Sequence, residues 1–161
     1  MKTDPDKSLR EHLIYLLKGG GAHAAFKAAV ADLSVGLRGK KAPNLPYTAW
    51  MLLEHIRIAQ WDILDFSCNP KYKSMEWPKE YWPASEAPPK TDAWDKSIRA
   101  CKRDLREMQD LVADSKTDLY KKIPWGDGQT ILREALLVAD HNAYHLGHLV
   151  TLRRLLGAWK D

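Results

Sequence analysis

Two histidines four residues apart, His141 and His145, are the side chains of this sequence best suited to chemistry. On a helix that spacing stacks both imidazoles on one face, where they can chelate one ion. His-x-x-x-His arises often by chance, so the surroundings matter. The pair continues a stripe with Val138 before it and Leu152 and Leu155 after it. Burying two adjacent imidazoles costs free energy unless each has a partner. Metal coordination supplies that partner and keeps both rings neutral. A third ligand should come from a facing helix at similar depth, and His55 qualifies, following Leu52 and preceding Ile58 and Ala59 on an apolar face. Alone, His55 reads as a core histidine bonded to a backbone carbonyl or a carboxylate. Beside the other two it reads as a ligand.

Three neutral imidazoles suit Zn, Ni, Cu or Fe and make a weak site for Mg or Ca. Three protein ligands leave a position for water, whose pKa on Zn falls to about 7. That is the arrangement of a catalytic site, whereas a structural site is closed by four ligands. Asp62, Glu54, Glu134 and Asp140 are candidates to orient the rings. His148, one turn beyond His145, reads as a fourth ligand, a general base or a pocket-lining donor. Positions 141 and 148 are about 10 Å apart along a helix axis, which argues against one ion held by 141, 145 and 148 together. His23 is the second candidate for moving protons, and His12 reads as a surface residue.

Four helices and one crossover must position these residues. The first is expected to start at Ser8-Leu9-Arg10-Glu11, a capping-box pattern. Its stripe runs His12, Leu16, Gly19, His23, Phe26, Val30, Leu33 and Leu37, ending at Gly39. Gly19-Gly20-Gly21 interrupts it, predicting a kink or a close approach to the backbone. The second helix begins near Thr48, carries Met51, Leu52, His55, Ile58, Ala59, Asp62, Ile63 and Phe66, and stops at Pro70. Residues 69–90 hold five prolines and the aromatics Tyr72, Trp77, Tyr81 and Trp82. At ~3.3 Å per extended residue this stretch easily spans a helix of ~30 Å, so it reads as a crossover that packs on the bundle. Thr91 caps the third helix, with the stripe Trp94, Ile98, Cys101, Leu105, Met108, Val112, stopping before Pro124. The fourth runs from about Gln129 to Leu156. A short link makes helices one and two antiparallel, the crossover lets helices two and three run parallel, and helix four returns. The expectation is one all-α domain over 1–161, an up-down-down-up four-helix bundle with a long crossover between helices 2 and 3.

Composition limits the alternatives. Hydrophobic residues make up 45% of 161, enough for a core and too many for a disordered chain. Net charge is +4, but the 25 Lys/Arg and 21 Asp/Glu are interspersed, so no nucleic-acid surface is read. Cys68 and Cys101 form no CxxC and no disulfide framework, which suits a reducing cytoplasm. The first thirty residues lack a signal-peptide pattern, and no run of eighteen apolar residues predicts a membrane span.

The run Asp140-His141-Asn142-Ala143-Tyr144-His145-Leu146-Gly147-His148-Leu149-Val150, followed by Leu152-Arg153-Arg154-Leu155-Leu156-Gly157-Ala158-Trp159, resembles the C-terminal helix of the DinB-like superfamily. Trp50-Met51-Leu52-Leu53-Glu54-His55-Ile56 resembles its second-helix motif, and Pro124-Trp125-Gly126-Asp127-Gly128-Gln129-Thr130 with Arg133-Glu134 also fits. The resemblance implies a four-helix bundle, a divalent site of His55, His141 and His145, Zn or Ni as the metal, and often a homodimer. Relatives include metal-dependent hydrolases and enzymes that transfer low-molecular-weight thiols or isomerise thiol adducts. One position departs: where the family pattern has Gln after Gly147, this chain has His148, a titrating group beside the site. The expected function is therefore metal-dependent hydrolysis of a small molecule. Thiol transfer or isomerisation is the alternative enzyme. A binding protein, with Trp50, Trp61, Trp77 and Trp82 shaping a cavity, and a metal-free remnant are the non-catalytic readings.

Overall fold

Thr48 starts the helix that carries His55. Its Oγ1 accepts from the Met51 backbone N–H (3.2 Å) and donates to the Glu86 carbonyl (2.6 Å), so one buried hydroxyl caps the helix and pins the crossover to it. In the computed structural model, which describes residues 4–19 and 21–159, this helix is α4, Ala49–Cys68. Before it come α1 (Pro5–Leu17), α2 (Phe26–Val30) and α3 (Val35–Arg38). After it come α5 (Ala93–Ala113) and α6 (Ile131–Leu155). The crossover holds only a 3-10 turn at Lys79–Tyr81. Among the described residues the regular elements are all helical, and pairing of strand type is limited to the isolated bridges Lys41–Thr48 and Lys122–Thr130. Among the described residues no helix is long and apolar enough to cross a membrane. The helices pack on one another: α4 lies against α5 and α6, and α1 crosses both α5 and α6.

The expected first helix is three pieces. Helix α1 is capped by Asp4, which accepts from the Asp6 N–H, and Ser8 lies inside it. It ends at Leu17 because Gly19 and Gly21 take left-handed φ of 72° and 81°, which terminate a helix. A Cβ at Gly21 would also stand 2.5 Å from the Tyr15 hydroxyl. Gly20 lies outside the described residues. The break resets the phase, so α1 buries Leu13 and Leu17 and leaves His12 and Leu16 exposed. Helix α5 begins after Asp92, one residue beyond the expected cap Thr91, and ends at Ala113, ten residues before Ile123. Arg10 reaches from α1 to its end, donating to the carbonyls of Val112 (2.9 Å), Asp114 (2.9 Å) and Thr117 (2.8 Å). Helix α5 stops where Asp114 turns extended (φ −66°, ψ 115°), and Arg10 binds the Val112 carbonyl of its last turn and two carbonyls of the segment that follows. Thr48 caps α4 as the sequence predicts, and α6 starts after Thr130, which caps it by accepting from the Arg133 N–H, close to the expected start near Gln129.

The core falls into two apolar halves. One gathers Trp50, Leu52, Leu53, Ile56, Trp94, Cys101, Leu146, Leu149 and Leu152. The other gathers Leu13, Leu17, Leu64, Met108, Val112, Ile131, Ala135 and Val138. Between them on the three long helices lie polar side chains: Gln60 on α4, Asp104 on α5, and His141, Asn142 and His145 on α6. Buried polar groups need partners, so this layer is where function is sought.

Candidate metal centre

His55 and His145 are buried on α4 and α6, and His141 is half-buried. Their ligand atoms lie within 4.8 Å of one another, and among the described residues no other group of three metal-ligating side chains gathers in this way. The His55 Nε2 is 3.1 Å from the His145 Nε2 and 3.1 Å from the His141 Nε2. The His55 Nδ1 sits 2.8 Å from the Tyr81 carbonyl. A carbonyl only accepts, so the neutral His55 ring carries its proton on Nδ1 and turns the Nε2 lone pair toward the other two rings. That one lone pair can accept one N–H, and two imidazole nitrogens approach it. A cation at the centre satisfies all three Nε2 atoms at once, and nitrogen donors of this kind fit a divalent transition metal.

Electrostatics point the same way. Burial lowers the pKa of all three rings. His141 falls to about 4, through burial and then the neighbouring His55. His145 falls to about 3, through burial and then His141, His55 and His148. In His55 the Tyr81 carbonyl partly offsets the burial. All three are therefore held as neutral imidazoles, the ligating form.

The crossover closes one side. Trp82 stacks face to face on His55, with ring centroids 4.0 Å apart and planes 1° from parallel. Trp77 lies 6.5 Å from His55 and is 67% exposed. Of the four acidic residues expected to orient the rings, Asp62 reaches His55 only through Tyr81. It accepts from the hydroxyls of Tyr81 (2.6 Å) and Tyr72 (3.0 Å). Burial and then the Asp62 contact raise both phenols, Tyr72 to about 12. Glu54 is taken up by Arg57 and by the Ser97 hydroxyl, Glu134 by Arg133, and Asp140 is exposed. The direct acceptor for His55 is thus a backbone carbonyl. Sequence reasoning missed Tyr81 because every residue type carries that group.

The other two expected residues are placed differently. His148 stands outside the cluster of three, half-buried at its rim. Its ring lies 5.6 Å from His145, 4.3 Å from Tyr144 and stacked 5.6 Å from Tyr47. His23 is exposed in the segment after the glycines, its Nδ1 donating to the Ala24 carbonyl (3.0 Å). It lines a cavity with Phe26, Leu105, Asn142 and Leu146, a wall that includes none of the three clustered histidines. Of the four tryptophans considered for a ligand cavity, Trp77 and Trp82 adjoin the cluster. Trp50 is buried in the core, and Trp61 opens on a separate pocket with Cys68 and Arg103. Comparison with protein-family models, with curated proteins and with solved structures finds no match to this chain.

Proposed function

We propose that this chain is a divalent-metal-dependent hydrolase of the DinB-like kind, acting on a small molecule at a site of His55, His141 and His145. The observation that carries the reading is the meeting of three Nε2 atoms, with two of the separations at 3.1 Å, from rings held neutral. Zn or Ni held there supplies a Lewis acid with a position left for water or a substrate oxygen. Tyr81 orients His55, Trp82 excludes water from one face of it, and His148 at the rim moves protons. On this reading α1, α4, α5 and α6 are the four helices of an up-down-down-up bundle, joined by the crossover between α4 and α5. The protein is cytoplasmic and pairs as a homodimer.

A second reading is a protein that binds metal and a small ligand without turnover. The aromatic groups around the cluster favour it, since exposed Trp77 and Tyr144 flank rings that Trp82 already covers. One experiment separates the two. Metal content is measured for the parent and for His55→Ala, His141→Ala and His145→Ala. The loaded parent is then assayed against ester, amide and thiol-conjugation substrates. Hydrolysis that needs the metal and is lost in the variants supports the hydrolase. Bound metal without turnover, and a small molecule that copurifies, supports the binding protein. Equal metal in the parent and all three variants overturns both.

A further inference from the structure

Two carboxylates lie buried on the helices that carry the histidines, away from the cluster itself. Asp62 of α4 is 7% exposed and Glu134 of α6 is 1% exposed. They stand seven residues from His55 and His141, two helical turns or about 10 Å along the axes. Both line one cavity of about 480 Å³, whose wall includes none of the three histidines. Their hydrogen bonds leave negative charge over. Among the described residues Asp62 accepts only from the hydroxyls of Tyr72 and Tyr81, which are neutral. The Glu134 Oε1 accepts from Arg133 at 2.7 Å, and among the described residues nothing donates to its Oε2. Arg133 is exposed, so solvent screens the charge it offers. Burial holds the Glu134 carboxyl above its usual range, with Arg133 opposing and Asp62 adding to the rise. A buried anion without a full partner is costly, and a cation in the cavity removes that cost.

The rest of the wall narrows the kind of cation. Phe66, Tyr72 and Trp125 line the same cavity. Tyr72 meets Phe66 edge to face at 5.1 Å, and the Trp125 Nε1 donates to the Phe66 carbonyl at 2.7 Å, so these rings are set in place. Organic cations are attracted to aromatic rings, and their carbon packs against them. A bare divalent ion needs several oxygens converging on one point. Asp62 and Glu134 do not gather with a third ligand in the way the histidines do. We propose that this cavity is a second binding site, taking a primary amine in its ammonium form on an apolar body, with Glu134 Oε2 as its acceptor and Asp62 as the further negative charge. Arg133 already places a guanidinium on Oε1, and the ligand's ammonium takes the oxygen beside it. Asp127, at the exposed edge of the cavity, draws the cation in. No histidine of the cluster takes part, so the site stands or falls without the metal.

The test uses chelator-treated protein, so that no metal competes for the amine. Benzylamine is the probe, benzyl alcohol its neutral match, and calcium chloride the inorganic cation. Nitrogen-15 NMR follows the Trp125 indole N–H, and calorimetry gives the affinity. Benzylamine should shift the Trp125 signal, and benzyl alcohol should bind more weakly on the order of 10-fold or more. Glu134→Gln keeps the shape and removes the charge, and should weaken benzylamine on the order of 10-fold or more. If Glu134→Gln does not fold, Arg133→Gln carries the measurement. It frees Oε1 and removes the competing guanidinium, so benzylamine should bind about 3-fold tighter or better. Several results overturn the proposal and leave the three-histidine reading where it stands: no binding of benzylamine, equal binding of benzyl alcohol, or a Trp125 shift with calcium alone. Unchanged affinity in Glu134→Gln, or in Arg133→Gln where that variant stands in, overturns it as well.

Discussion

Acid should destabilise the metal-free protein through its histidines before it does so through its carboxylates. His141 and His145 titrate near about 4 and about 3 in the fold, against 6.5 for a free imidazole. As pH falls the unfolded chain takes up these protons first, so stability is intact above 6.5 and is lost as pH drops toward the folded values. Each such group can contribute up to ~1.4 kcal/mol per pH unit in that window. Between about pH 6.5 and pH 5 the ceiling is ~2 kcal/mol per ring, and solvent near half-buried His141 brings the pair to ~2–3 kcal/mol. Against a typical total of about 5–15 kcal/mol that is a measurable loss. His145→Ala removes the more strongly shifted ring. It should be less stable than the parent near neutral pH, through lost packing, but should lose ~1–2 kcal/mol less on acidification. Urea unfolding with a chelator present, repeated from about pH 7.5 down to about pH 5, gives both curves. Parallel curves for parent and variant would mean that burial does not hold the ring neutral, and the electrostatic argument for a preformed ligand set would fall.

Three further outcomes are expected. Zinc at a hundredfold excess over its Kd should stabilise the parent by ~2.7 kcal/mol, a shift of about 5–10 °C in Tm. His55→Ala should show no such shift, and an equal response would remove His55 from the ion. Asp62→Ala leaves the Tyr72 and Tyr81 hydroxyls without their acceptor. It should cost ~2–3 kcal/mol by urea unfolding and weaken zinc binding, and an unchanged midpoint would show that Asp62 does not hold the crossover down. Arg10→Met removes three bonds to carbonyls at and just beyond the end of α5. A loss of ~2 kcal/mol is expected, with metal content unchanged because α1 lies outside the cluster.

Much of the site was legible in the residues themselves. His141 and His145 share a helical face, and His55 follows a threonine cap that places it at matching depth. Periodicity and the Thr48 cap suffice for that, because α4 and α6 run uninterrupted between Thr48 and Asn69 and between Thr130 and Leu156. Periodicity failed where backbone conformation took over. Gly19 and Gly21 could be read as a kink, but their left-handed φ ends α1 and moves the buried face from His12 and Leu16 to Leu13 and Leu17. The last turn of α5 is held by Arg10, distant in sequence and silent in any local pattern. The partners of the histidines were the least legible. One is a carbonyl, which no sequence distinguishes, and charge led to Glu54, Glu134 and Asp140, whose partners or surroundings lie elsewhere.

His55 meets the crossover at two consecutive residues, the Tyr81 carbonyl at its edge and the Trp82 ring on its face. Two materials thus enclose the cluster. Helices α4 and α6 supply the donor nitrogens in a register that their buried faces defend against change. The other wall is an aperiodic strap, free of helical spacing and tied down at Asp62 and Glu86. A strap of another length or sequence, keeping those two moorings, would redraw the reception side of the site while the donor set stayed in place. On the proposed reading, the nitrogens that would hold an ion and the wall that a bound molecule would meet are written in different stretches of the chain, joined at Tyr81, whose carbonyl orients His55.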